Sequence, residues 1–228
     1  MDKLKIGMLL FPNLTVLDFT GPYEVFVRAS CFEVYVVSEN KKLVAAEGGL
    51  SLKPDFTFDD CPDVDILFVP GGKGITPLLT NKLYIDFLQK KAIKAKYITA
   101  VCTGSLLLAA SKLLDGYKAT THWRSLELLQ MFDVETIEQR VVVDRNRITG
   151  GGITAGLDFG LSLTALIGGD RMAKAIQLML EYNPEPPFTS GNPKTAESDI
   201  FKIASEMTQS LFDERKEIIR QIARLANN

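Results

Sequence analysis

The stretch KYITAVCTGSLLLAASKLL, residues 96–114, decides the fold. Its first half, Tyr97 to Val101, has the length and apolar composition of a buried strand, and residues 106–114 are apolar nearly all round, as in a buried helix. Only Cys102, Thr103, Gly104 and Ser105 lie between the two. A strand-to-helix turn that small leaves the cysteine on a sharp bend, its sulfur beside the unpaired N–H groups of the helix start. Those donors and the helix dipole favour a thiolate. The competing reading is a small apolar residue closing a packed strand end. The choice between them rests on the rest of the chain.

At 228 residues the chain suits one α/β unit with a full hydrophobic core, and residues 1–228 read as a single domain. The 26 Lys and Arg against 28 Asp and Glu are scattered, which argues against a nucleic-acid partner. Cys31, Cys61 and Cys102 stand far apart and nowhere at metal-ligand spacing, and His122 is the one histidine, so no metal is expected. The apolar run in the opening MDKLKIGMLLF is too short for a signal peptide, and the longest later run, residues 161–167, cannot span a bilayer. A soluble, cytoplasmic protein with no membrane partner is expected.

Residues 5–11 form an apolar run ending at Pro12, which suits a central strand opening into the loop FPNLTVLDFTGPYEVF. Thr20, Gly21 and Pro22 supply a cap and an early proline, predicting a helix over 23–29. This puts Asp18 in the loop and Glu24 in the first helical turn, both at the carboxyl end of a strand, where open α/β sheets build their sites. Each acid also has a plainer reading. Asp18 can hydrogen-bond loop amides, and Glu24 can complement the positive helix start.

Residues 32–38 read as a second strand, and residues 43–46 and 50–54 as a hairpin around Glu47, Gly48 and Gly49. A buried strand over 65–69 runs into Pro70, Gly71, Gly72, Lys73 and Gly74. The adjacent glycines make either a tight turn or a set of amide donors facing a developing negative charge. Phosphate-loop spacing is absent. An amphipathic helix over 81–94 delivers the chain to the cysteine turn. After it come a short strand over 119–121, His122 and Trp123, and a helix over 125–132. His122 reads either as the base of a Cys–His dyad or as a residue that orders a strand end or an interface.

A hairpin over 140–149 turns at Asn146 and precedes Gly150, Gly151, Gly152 and a helix over 157–166. Those glycines either expose a second set of amide donors or only let a buried helix pack closely. A helix over 170–182 and a proline-rich loop over 183–193 follow. Two amphipathic helices, 198–211 and 213–225, join at Phe212. Residues 196–226 are expected to cover the sheet or a dimer partner.

Four ordered motifs now stand together: LDFTGPYEVF at 17–26, ILFVPGG at 66–72, AVCTGSLLLAASKLLDGYKATTHW at 100–123 and ITGGGITAGLDFGL at 148–161. Over residues 5–180 they resemble the ThiJ/PfpI family of the class I glutamine amidotransferase-like superfamily, and within it the branch that hydrates isocyanides (isonitriles). The resemblance implies a flavodoxin-like three-layer α/β sandwich with a mostly parallel central sheet and a nucleophile elbow, and a homodimer. It implies hydration of a small-molecule isocyanide to the N-substituted formamide, without metal, flavin or nicotinamide cofactor. Carried to matching positions, Cys102 is the nucleophile, Glu24 the acid touching its sulfur, and Asp18 with Thr103 the pair handling water. Gly72 offers an amide near the oxyanion position, with Gly71, Gly152, Gly21 and His122 around the substrate.

Peptidases and deglycases of the family carry histidine directly after the cysteine. Thr103 stands there in this chain, which favours the hydratase branch. AraC-type regulators share two of the motifs but continue into a DNA-binding region; this chain ends about where that region begins, and its last two helices lack a basic recognition face. Alternatives are another cysteine-dependent hydrolase or glyoxalase-like enzyme, a redox or stress sensor, and a ligand-sensing protein.

Overall fold

A computed structural model describes residues 2–226. In chain order, β1 (Leu4–Leu9) leads to α1 (Val16–Phe26), β2 (Phe32–Ser38), the two-residue strands β3 (Val44–Ala45), β4 (Ser51–Leu52) and β5 (Phe56–Thr57), and then β6 (Ile66–Val69). There follow α2 (Ile75–Leu78), α3 (Lys82–Ala92), β7 (Tyr97–Val101), α4 (Gly104–Ala110), β8 (Tyr117–Ala119), α5 (Leu126–Leu129) and β9 (Val134–Thr136). The hairpin β10 (Val141–Asp144) and β11 (Arg147–Gly150) precedes α6 (Ala155–Gly168), α7 (Asp170–Met179), α8 (Ser198–Met207) and α9 (Gln209–Ala226).

The main sheet has the order β10-β11-β7-β6-β1-β2-β5 and is parallel except for the β10–β11 pair. Helices on both faces bury the central strands, which is why β6 is apolar at every position. The chain is thus a flavodoxin-like three-layer α/β sandwich. Phe26, Phe68 and Phe159 meet at tilted and edge-on angles between α1, the sheet and α6. Each such fully buried side chain contributes roughly 2–3 kcal/mol. No helix among the described residues is long and apolar enough to cross a membrane.

The first helix differs from expectation. It begins at Val16, with Thr15 as cap, and it carries Pro22 inside it. Proline there removes one backbone hydrogen bond, but packing outweighs the loss. Gly156 and Gly160 of α6 lie against Pro22 and Val25, so the two helices approach closely through a surface that a side chain would hold apart. The early start moves Asp18 from a loop into the first helical turn and Glu24 from the first turn to the third. Two smaller differences follow the same logic. Residues 75–78, where the sequence marks no helix, form α2, and the joint between the last helices falls at Thr208, leaving Phe212 buried within α9.

The loops after β1 and β6 are stitched together at the carboxyl edge of the sheet. Leu14 bridges Gly72, Thr15 N–H donates to the Gly71 carbonyl at 3.0 Å, and Gly74 N–H donates to the Asn13 carbonyl at 3.0 Å. Helix α4 starts hard against that edge. A Cβ on Gly104 would fall 2.2 Å from the Val69 carbonyl oxygen, so only glycine lets α4 leave β7 there. Gly104→Ala is therefore expected to lose about 2 kcal/mol or more in urea unfolding. Gly191→Ala, which enters open space, is expected to stay within about 0.5 kcal/mol.

Candidate active site

Strand β7 ends at Val101, and the next residue, Cys102, adopts φ 53°, a left-handed conformation that L side chains avoid. The strain is held by hydrogen bonds on both sides of the residue. Cys102 N–H is shared between the Gly150 and Gly151 carbonyls at 3.0 Å each, and its carbonyl accepts from Thr121 Oγ1 at 2.7 Å. This is the nucleophile elbow expected from the sequence.

The Asp18 carboxyl, fully buried in the first turn of α1, lies beside the Cys102 sulfur. A methyl placed on Gly71 would meet Cys102 Cβ at 2.7 Å and Asp18 Oδ2 at 2.8 Å, so the missing side chain is what admits the carboxyl. Neither carboxyl oxygen has a hydrogen bond of full geometry, although the Cys102 thiol and the Gly71 N–H are near enough to bear on its ionisation. Burial dominates and lifts the Asp18 pKa to about 7, with Glu47 adding to the rise, while the Cys102 thiol and the Gly71 amide oppose it.

The thiolate expected of Cys102 is not its resting form. Burial pushes the thiol well above its ordinary range, and the neighbouring Asp18 charge pushes the same way. The Thr103 N–H and the Arg215 charge favour the thiolate but do not offset this. The helix-start donors cited for the sequence are present but weaker than desolvation.

Thr103 is buried, and its hydroxyl accepts the Gly72 N–H at 3.0 Å and can donate to the Gly72 carbonyl at 3.3 Å. Gly72 has φ 138°, and its absent Cβ would collide with the backbone of residues 13–15. Its N–H is thus committed to Thr103 instead of an open oxyanion position.

His122 lies on the cavity wall, with Gly152 packed against its ring. Its Nδ1 accepts Arg124 N–H at 3.2 Å and caps the turn at Trp123–Ser125. Burial, with the charges of Arg215 and Arg124, lowers its pKa to about 4, so the ring is neutral and its proton is assigned to Nε2. The histidine orders a strand end and presents a donor; it is not placed as a base.

Glu24 and Gly21 do not belong to this site. They line a separate cleft with Leu17 and Leu157, and Glu24 is half exposed and paired with Arg28. The carboxyl that meets the sulfur is Asp18. The correction follows from the earlier start of α1, because residues six apart on a helix face different directions.

A cavity of about 200 Å³ opens above Cys102 and Thr103. It is walled by Glu47, His122, Arg124 and Ile153, and closed by Phe212 and Arg215 of α9. Arg124 lies 3.9 Å over the Phe212 ring and donates to Gln209 Oε1 at 2.6 Å, which straps α9 in place. Sequence reading missed Arg215, Arg124 and Glu47. For Arg215 a signal existed: a cation sits on the apolar stripe of an amphipathic helix, three residues after Phe212 and four before Ile219. No group of three or more His, Cys, Asp or Glu gathers among the described residues to hold a metal ion.

Comparison with known proteins agrees with this architecture. The sequence is 44% identical over 224 residues, 98% of both chains, to isonitrile hydratase of Pseudomonas putida. It is 35% identical over 185 residues to the HTH-type transcriptional regulator GbdR of Pseudomonas aeruginosa, covering 78% of this chain and 50% of the regulator. A crystal structure of a ThiJ/PfpI family protein from Pseudomonas syringae superposes with a TM-score of 0.93 at 40% identity, over 96% of this chain and 91% of that one. The DJ-1/PfpI family model matches residues 4–166. With sequence, sheet order and cysteine elbow in agreement, the chain belongs to the DJ-1/PfpI family.

Proposed function

We propose that the protein is an isonitrile hydratase, converting an isocyanide R–N≡C to the N-substituted formamide. The observation that carries this reading is the Asp18 carboxyl, wholly buried, without a hydrogen bond of full geometry and set against the Cys102 sulfur. The full-length similarity to the Pseudomonas putida hydratase supports it. Isocyanide hydration needs a soft nucleophile and one proton that can be delivered and recovered, and this pair supplies both.

Above about pH 7 Asp18 and Cys102 hold one proton between them. In the resting form it is on sulfur; transferred to Asp18 it leaves a thiolate beside a carboxylic acid. Asp18 gives that proton to the terminal carbon, a C–S bond forms, and one C–N bonding pair moves to nitrogen, leaving the thioimidate R–N=CH–S–Cys102. Water held by the Thr103 hydroxyl then adds to carbon. One of its protons passes through Asp18 to nitrogen, giving R–NH–CH(OH)–S–Cys102. Collapse forms the carbonyl, breaks the C–S bond and returns the hydroxyl proton to the Asp18–Cys102 pair. Glu24 takes no part.

Incubation with a simple alkyl isocyanide, followed by NMR, is expected to show formamide with wild type and none with Cys102→Ala. Asp18→Asn should be slower by about 10²–10⁴-fold, and equal turnover by all three proteins would reject the reading. Gly71→Ala should remove activity, because its Cβ would fall 2.7 Å from Cys102 Cβ and from the Thr103 backbone nitrogen and 2.8 Å from Asp18 Oδ2. The pH profile has a definite sign. Below about 7 Asp18 keeps its own proton and cannot accept that of the thiol, so kcat/KM is expected to rise through about pH 7, with this limb absent in Asp18→Asn.

A further inference from the structure

Helix α9 lies beyond residues 4–166, the part matched by the family model, yet it puts Leu211, Phe212 and Arg215 into the cavity wall. Arg215 shares the inward face of α9 with Phe212 and Ile219 and is 6% exposed. Its hydrogen bonds go to neutral groups: Nε donates to Thr76 Oγ1 at 3.0 Å and Nη2 to the Gly72 carbonyl at 2.7 Å. A buried guanidinium is held at such desolvation cost only where its charge has an anion to act on. Those facing it are the Cys102 sulfur, Glu47 and Glu214, the last exposed on the same helix.

We infer that Arg215 is a positioning residue of the reaction: it fixes the Gly72 peptide that holds the Thr103 hydroxyl, and its immobile charge facing Cys102 favours the thiolate. Both effects come from one side chain because Gly72 is bonded at both ends. Its N–H is on Thr103 Oγ1, and its carbonyl takes a 2.7 Å bond from Arg215 against 3.3 Å from both the Ile75 N–H and the Thr103 hydroxyl, so losing Arg215 loosens the peptide that places the water-holding hydroxyl. The electrostatic effect works within a small set of groups. Asp18 from α1 opposes the thiolate, Thr103 N–H and Arg215 favour it, Glu47 acts on Asp18, and His122 stays neutral. Lysine can replace the charge but not the fork that reaches two acceptors at once.

The inference rests on the hydratase reading only for its kinetic half, so the test has two readouts. One is the pH midpoint for alkylation of Cys102 by iodoacetamide, followed on the Cys102 peptide by mass spectrometry; the other is kcat and KM for an alkyl isocyanide. Arg215→Gln is expected to raise the midpoint by about one pH unit and to lower kcat about tenfold or more, with KM little changed. Arg215→Lys should restore the midpoint without restoring kcat, and Thr76→Val, which loosens the anchor but keeps the charge, should lower kcat about threefold at an unchanged midpoint. Wild-type midpoint and kcat in Arg215→Gln overturn the inference. If that variant does not fold, wild-type kcat in both Arg215→Lys and Thr76→Val overturns it. Should the wild type make no formamide, the hydratase reading fails by itself, and the alkylation midpoint of Arg215→Gln still decides the role of Arg215.

Discussion

Two acidic groups pressed together in a desolvated pocket cannot both be ionised, and that constraint organises the rest of this structure. Water is excluded from Asp18, which has no hydrogen bond of full geometry to either oxygen, and from Cys102, which is 5% exposed. Burial raises the proton affinity of both; the Asp18 charge raises that of Cys102 further, while the Cys102 thiol works against the rise at Asp18. Above about pH 7 the carboxyl gives up its proton while the thiol keeps its own, so the pair then carries a single proton.

The scaffold spends its irregular features on holding that pair. Cys102 occupies a left-handed conformation secured by three backbone and side-chain hydrogen bonds. Gly71 leaves the space through which the carboxyl reaches sulfur, and Gly156 and Gly160 let α1 settle so closely on α6 that its first turn meets the elbow. The Leu14–Gly72 bridge then locks the β1 and β6 loops to each other. None of these contacts is large in energy. Together they remove the freedom by which a buried, repelling pair would separate.

The last helix has a second part in the same arrangement. The Arg124–Phe212 stack and the bonds of Arg215 draw α9 over the mouth of the cavity, so the site is walled by residues nearly two hundred positions apart. Among the described residues, α8 buries no side chain and leaves Ile200, Phe201 and Ile203 substantially exposed, in contrast to the inward face of α9.

Much of this was legible in the chain. Apolar runs with abrupt ends marked β1, β2, β6 and β7, and four residues between strand and helix sufficed to place Cys102 on an elbow, because local sterics and backbone hydrogen bonding decide such features. Thr103 and Gly71 came with that neighbourhood. Which acid faces the sulfur was decided only in three dimensions: Pro22 suggested a late helix start, and the packing of α1 on α6 overrode it, bringing Asp18 inward and turning Glu24 out to Arg28. Resting ionisation likewise escaped the sequence, since burial is a property of everything around a group and not of its neighbours along the chain. Arg215 reached the site for the same reason, carried by a docked helix to Thr76 and Gly72, more than a hundred residues away in sequence.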